Sequence, residues 1–263
     1  MRADESSAAW DAATYHQVSD PQWRWGLRVL DRLAPRPGER ILDLGCGTGR
    51  LTADIRSRAP GTVTVGVDRS LAMLRTASEH SSPFARFAQA DAIALPFGSL
   101  FDAVFSTATF HWIGNHDALF SDVYRVLRSG GRLVSQCGGG PNLQRLYQRA
   151  RALRASSRFR DYFAGFVDPL NFQTVEATTV RLESAGFTDI DVSLEPAQTP
   201  FPSIETFQQF VTTVCLRHDL QQLPDHLRSP FAHELAVAAA GDDPPLTLDY
   251  WRLNIDACKP PAR

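Results

Sequence analysis

Apolar positions along the first half of the chain switch repeatedly between two rhythms. Trp23, Leu27, Leu30 and Leu33 recur at helical spacing, and Pro35 with Pro37-Gly38 closes that run. Arg40–Leu44 then reads as a short apolar strand ended by Gly45-Cys46-Gly47-Thr48-Gly49, after which Leu51 and Ile55 restart the helical period. The alternation continues with strands predicted at 62–67, 84–88, 101–106 and 132–136, and helices at 70–79 and 115–127, the latter capped by Asn115. From Gly138 the pattern loosens into an arginine-rich helical stretch carrying Phe159, Tyr162, Phe163 and Phe166. A helix at 174–185, ended by Gly186, precedes a strand at 189–194. A second helical segment, from Ile204 to about Ala240, is punctuated by Pro224 and Pro230, and a last strand is predicted at 246–257.

Strand–turn–helix repetition builds parallel sheets. The expected fold is therefore α/β: a doubly wound, seven-stranded, mostly parallel sheet with a helical lid contributed by two insertions. The expected division is a ligand-binding core at 1–137, a helical insertion at 138–172, a return to the core at 173–196, a helical lid at 197–245, and a final core strand and tail at 246–263.

Composition narrows the partners. The chain has 263 residues, 43% of them hydrophobic and 21% charged, which suits an ordinary globular protein. A formal net charge of -2 supplies no field for gathering phosphates, so no nucleic-acid partner is expected. Lys259 is the one lysine, and the other 26 of the 27 basic residues are arginines. Cys46, Cys137, Cys215 and Cys258 form no C-x-x-C pair, so neither a metal site nor a disulfide framework is expected. No apolar run approaches the ~20 residues needed to cross a bilayer. A cytoplasmic protein, monomeric or homodimeric, with no membrane partner is the corresponding expectation.

Chemistry concentrates at the glycine turn. Glycines tolerate positive φ and carry no Cβ, so the backbone there can approach a ligand at the carboxyl edge of the sheet, with the next helix pointing its amino end at the same place. Asp68 lies 19 residues beyond Gly49, at the end of the next strand, where a carboxylate can accept both hydroxyls of a ribose. Asp91 follows the third strand and can accept from an adenine amino group; its alternative is a solvated loop acid or a helix cap for Ala92 onward.

The run Ile41–Gly49, together with Gly66-Val67-Asp68-Arg69-Ser70, Met73 and Ala90-Asp91, resembles the class I S-adenosylmethionine-dependent methyltransferases, a Rossmann-like fold. Within them the trans-aconitate methyltransferase group is the nearest in pattern. It shares Trp10 and Tyr15 near the start, Phe110-His111-Trp112-Ile113 after the fourth strand, Gly130-Gly131 before the fifth and Gln136 at its end. Residues 10–140 carry the resemblance, and the usual Arg-Pro of that group is replaced here by Arg24-Trp25.

The resemblance implies that Gly45, Cys46, Gly47 and Gly49 flank the methionyl part of S-adenosylmethionine. Asp68, with Arg69 beside it, would hold the ribose, Asp91 and Ala92 the adenine, and Met73 would pack on the adenine face. Asp43 would support the loop and the ligand's amino group, while Ser106 and Thr107 would lie beside the methionine moiety. Tyr15 is either a lid or an aromatic anchor, and Arg24 either pairs with the cofactor's carboxylate or is solvated. His111 is the candidate general base, with a positioning role as its alternative; Trp112 and Gln136 complete the expected acceptor site.

The expected activity is transfer of the donor's methyl group to a small molecule, on the oxygen of a carboxylate or hydroxyl, leaving S-adenosylhomocysteine. A sulfonium methyl is already electrophilic, so alignment and water exclusion are the main tasks of the protein. Two alternatives stand beside it. A nicotinamide-dependent oxidoreductase also uses a glycine turn and an acid after the second strand, and a protein could bind S-adenosylmethionine without catalysis.

Overall fold

A computed structural model describes residues 20–262, with side chains from Trp23 onward. These residues form two compact units, one of residues 20–140, Leu170–Glu195 and 252–262, the other of Pro141–Pro169 and Pro196–Trp251.

The first unit begins with helix α1 (Asp20–Leu33) and strand β1 (Arg40–Leu44). Helix α2 (Arg50–Arg58), β2 (Val63–Asp68), α3 (Leu71–Ala77) and β3 (Ala85–Gln89) follow. Next come β4 (Phe101–Thr107), α4 (His116–Val126) and β5 (Leu127–Gly138). After the second unit's first excursion the chain adds α6 (Val175–Ala185) and β6 (Thr188–Pro196), and it closes with β9 (Trp251–Cys258). The seven strands stand in the order β3-β2-β1-β4-β5-β9-β6. Pairs β3/β2, β2/β1, β1/β4 and β4/β5 are parallel, whereas β9 runs antiparallel to β5, from Arg132 opposite Cys258 to Gly138 opposite Arg252. This is the mostly parallel α/β architecture expected from the alternating pattern.

Side chains alternate across a strand, so each central strand feeds both faces. Leu42, Leu44, Val104 and Leu133 join Leu119, Phe120, Val123 and Val126 of α4 and Leu182 of α6 in one buried cluster. Their neighbours Ile41, Ala103, Phe105 and Val134 point the other way, onto Val29, Leu30 and Leu33 of α1 and Ile55 of α2. Burial on both faces is why these strands read as continuous apolar runs. Caps set the helix boundaries: Asn115 accepts from the Ala118 amide at 3.0 Å, Thr174 from the Ala177 amide at 3.2 Å, and Gly186 ends α6 at φ 97°.

Two boundaries differ from the sequence pattern. Strand β5 starts at Leu127 and runs through Ser129-Gly130-Gly131, because the sheet absorbs these residues as an irregularity between the Phe101 and Ala103 pairings. The predicted final strand is broken into β8 (Thr247–Leu248) and β9, since the Asn142 side chain accepts from the Trp251 amide and Asp249 accepts from that of Arg145.

The second unit is helical: α5 (Gln144–Arg154), α7 (Ile204–Phe210), α8 (Arg217–Gln222) and α9 (Asp225–Ala240), with β7 (Thr199–Pro200) paired to β8. Of the two stretches expected as insertions, 141–169 and 197–245 lie in it, while 138–140 and 170–172 belong to the first unit. A π-helical turn, Val211–Cys215, interrupts the long predicted segment, and Pro224 starts α9 while Pro230 is accommodated inside it. Phe159, Phe207, Phe210 and Phe231 fill its core, and Arg154 is buried against Asp219 at 2.9 Å. Among the described residues no helix is long and apolar enough to cross a membrane.

Candidate active site at the carboxyl edge of the sheet

The turn after β1 is held open by its backbone. Gly45, Gly47 and Gly49 all have positive φ, at 77°, 54° and 76°. A Cβ on Gly45 would stand 2.1 Å from the Thr109 hydroxyl oxygen, so side chains are excluded there by both conformation and space. A Cβ on Gly47 would meet nothing within 4 Å, which makes this position an open cradle. The Gly45 and Cys46 amides donate to the Val67 carbonyl at 2.8 and 3.0 Å, pinning the loop to the tip of β2. Gly49 caps α2 without any side-chain acceptor, leaving that helix's amino end facing the turn.

Two carboxylates converge on this loop. Asp68 is partly buried, accepting from the Gly47 amide at 3.0 Å through one oxygen and from the Ser70 amide at 2.8 Å through the other. Each oxygen keeps a second lone pair for a ligand hydroxyl. Burial raises its pKa above the ordinary carboxylate value, against the lowering effect of those amides and of Arg69. Asp43, 2% exposed on β1, accepts from the Thr52 hydroxyl. Burial first and the charge of Asp68 third push its carboxyl up to about 7, with the Thr52 bond opposing. The Cys46 thiol is held well above its ordinary value by burial and by both acids, so it serves as protonated filler.

Around this centre, Ser70 caps α3 and orients buried Met73. The Ala90 amide donates to the Asp68 carbonyl at 3.2 Å, bringing the β3 tip beside that of β2. Asp91 is exposed and accepts from the Ile93 amide at 3.2 Å, with partly buried Ala92 between them. Ser106 is buried and donates to the Leu44 carbonyl at 2.7 Å, tying β4 to β1, while the Thr107 carbonyl accepts from Thr109 at 2.9 Å. Arg69 is exposed. Arg24 is also exposed, on α1, with no ion pair to another described residue, and Trp10 and Tyr15 lie outside the described residues.

The far side, beyond β4, is built from side chains. His111 accepts from the Gly138 amide through Nδ1 at 3.2 Å, and its ring lies 5.2 Å from that of Trp112 and 5.8 Å from that of Phe172. Burial, then the charges of Arg252 and His116, push its imidazole down to about 3, so the ring is neutral at physiological pH. The segment carrying Phe172 is fastened by the Asn171 amide on the His111 carbonyl at 2.9 Å and by the Asn171 side chain on the Ile113 carbonyl at 3.0 Å.

Gln136 turns into the sheet, donating to Asn254 at 2.7 Å and accepting from Arg252 at 3.3 Å. Arg32 also reaches Asn254 and donates to the Ser135 carbonyl at 2.7 Å. Arg252, 4% exposed, lies 4.6 Å over the Trp25 ring. Thr52, Thr109, Phe172, Arg252 and Asn254 are absent from the sequence reading. Thr109 could have been found in the small polar run after β4; Phe172 and Arg252 carry no local signal.

Comparison with known proteins decides the chemistry. The family described as a methyltransferase domain matches residues 42–135. The trans-aconitate 2-methyltransferase of Paracidovorax citrulli is 28% identical over 246 residues, covering 88% of this chain and 90% of that protein. The protein of the same name from Deinococcus radiodurans is 39% identical over 128 residues, 48% of each chain. Residues 42–135 match a methyltransferase domain, and the chain is an S-adenosylmethionine-dependent methyltransferase.

The fold of this methyltransferase is shared with Haemonchus contortus phosphoethanolamine N-methyltransferase 2, solved with phosphomonomethylethanolamine and S-adenosylhomocysteine. The TM-score is 0.63 at 21% identity, covering 95% of this chain and 57% of the other. The nicotinamide reading is set aside by these matches and by Arg50, which stands where its usual fingerprint continues toward a third spaced glycine. The enzyme's own residues suit S-adenosylmethionine: a side-chain-free cradle at Gly47 adjoins two desolvated carboxylates, which together call for a ligand bearing both hydroxyls and a positive charge.

Proposed function

We propose that this enzyme methylates an oxygen of a small organic acid, a carboxylate in preference to a hydroxyl. The trans-aconitate 2-methyltransferase likeness along 88% of the chain is the observation that carries it. Consistent with it, the wall beyond β4 combines the aromatic rings of His111, Trp112 and Phe172 with the buried guanidinium of Arg252, whose charge reaches His111. An apolar wall with one fixed cation suits a small anion.

On this reading Gly45, Gly47 and Gly49 approach the methionyl chain, and Asp43 faces its ammonium. Asp68 accepts the ribose hydroxyls, Met73 packs on the adenine, and Asp91 with Ala92 reads its edge. Ser106 acts at one remove by tying β4 to β1, and Gln136 by aligning Arg252. When bound, S-adenosylmethionine supplies a methyl on a positively charged sulfur; a carboxylate oxygen provides the electron pair for the new O–C bond, the S–C pair stays on sulfur, and no proton needs to leave. Residues that hold the acceptor in line and exclude water then suffice.

The test is transfer of labelled methyl from S-adenosylmethionine to trans-aconitate and other small di- and tricarboxylates, beside matched alcohols, phenols and amines. Base-labile methyl esters of one or more acids are expected. Label appearing only in alcohols, phenols or amines would overturn the assignment.

A further inference from the structure

The hydrogen bond between Gly138 and His111 has a consequence for the acceptor. A backbone amide only donates, so the Nδ1 atom that receives it carries a lone pair and no hydrogen. A ring turned over would meet the same N–H with a carbon. In a neutral imidazole the hydrogen therefore sits on Nε2. Nε2 has no hydrogen-bond partner among the described residues and is not one of the buried polar atoms left unsatisfied, so it opens onto accessible space. His116, five residues later, differs: its Nε2 contacts the Phe110 carbonyl at 3.0 Å, and its buried Nδ1 has no partner.

We propose that His111 is a substrate-positioning residue and not a general base: the Gly138 amide locks its tautomer, and its Nε2–H donates to an oxygen of the methyl acceptor. To take a proton from a hydroxyl, the ring would have to give up the Gly138 bond at Nδ1, because Nε2 is already protonated. The charged and titratable groups facing the ring resist this: Arg252 on β9 and His116 on α4 both oppose a positive charge on it, and Cys137 on β5 is a neutral thiol pushed up to about 12 by burial. An acceptor that must lose a proton gains no base here, whereas an ionised carboxylate gains a donor for its second oxygen. The preference for carboxylates rests on the oxygen-methylation reading above; the tautomer does not.

Long-range proton–nitrogen NMR of the nitrogen-labelled full chain, with the His111 signals assigned by their loss in His111→Gln, reads the tautomer without any substrate. The expected result is an unprotonated Nδ1 and a protonated Nε2, unchanged from pH 5 to pH 8.5 (about 1.5 units below and 2 units above the ordinary histidine value near 6.5). A hydrogen on Nδ1, or a midpoint within that range, would overturn the proposal. With the acid turned over fastest in the panel, kcat/KM should show no limb assignable to His111. His111→Gln, which keeps an N–H donor, should stay within about tenfold of the parent, while His111→Phe should lose roughly 100-fold, chiefly in KM. Equal losses of kcat in both variants would indicate a base and sink the idea. If no acid is methylated, the carboxylate reading fails while the spectrum still decides the state of the ring.

Discussion

The two sides of the sheet's carboxyl edge are built by different means. On the side of β1, β2 and β3, the proposed site rests on backbone shape and two acids within one stretch of chain: Gly45 and Gly47 at positive φ, Asp43 at 2% exposure, and Asp68 accepting from the loop it borders. On the side of β4, β5 and β9, it rests on side chains assembled from afar, such as His111 with Gly138 and Phe172, and Gln136 with Asn254, Arg252 and Arg32. A site for an invariant ligand can be made from local backbone, since the backbone's donors and acceptors do not vary. A site for a particular acceptor needs distinctive side chains, and only folding brings those together.

The largest expected effect would come from Gly45→Ala, whose new Cβ would collide with Thr109 at 2.1 Å in a left-handed conformation. A loss of about 3–5 kcal/mol in denaturant unfolding, with S-adenosylhomocysteine binding abolished, is expected. Stability close to the parent would mean that the loop relaxes freely and that local backbone is not what shapes this side. On the other side, Asn254→Leu should cost about 2–3 kcal/mol, because the bonds from Arg32 and Gln136 lose their shared acceptor. Its S-adenosylhomocysteine affinity should stay near the parent's in calorimetry; a matching fall would show that the two sides are not separable.

Asp68→Ala is expected to weaken S-adenosylhomocysteine binding by about 1–3 kcal/mol through loss of charge-assisted hydrogen bonds, with little change in thermal midpoint. Unaltered affinity would remove the ribose from this carboxylate. The effect that is smallest per unit of change, about 1.4 kcal/mol per pH unit, is electrostatic. Asp43 in the free protein lies up at about 7, above its unfolded value of about 3.9, so the folded state holds the proton more tightly. Its contribution to stability is therefore full below pH ~4 and is lost as pH rises toward 7. A ligand ammonium favours the ionised form, so S-adenosylhomocysteine should bind about tenfold more tightly per pH unit up to pH ~7, releasing a proton, and then level off. Calorimetry in two buffers of different ionisation enthalpy measures that release, and Asp43→Asn should erase it.

Legibility followed the same divide. The strands at Arg40–Leu44 and Val63–Asp68 are readable because both faces are buried and their turns need glycine and an acid, so type, order and chemistry all leave marks within 30 residues. Gln136 shows the opposite case: expected to meet substrate, it instead spends its amide on Asn254 and Arg252, more than a hundred residues away. The final strand was placed too early because Asn142 and Asp249 hold the intervening turn, a contact with no local trace.

From its residues alone, this chain determines a parallel α/β core, the placement of the glycine turn after β1, and the acids at the strand tips, because hydrophobic periodicity and the demands of positive φ act between near neighbours. Tertiary structure alone decided that β9 lies antiparallel beside β5, that the two acids share one desolvated space, and which nitrogen of His111 bears the hydrogen. Those depend on burial and on partners distant in sequence, and electrostatic and hydrogen-bonding energies are set by distance in space, to which sequence separation is blind.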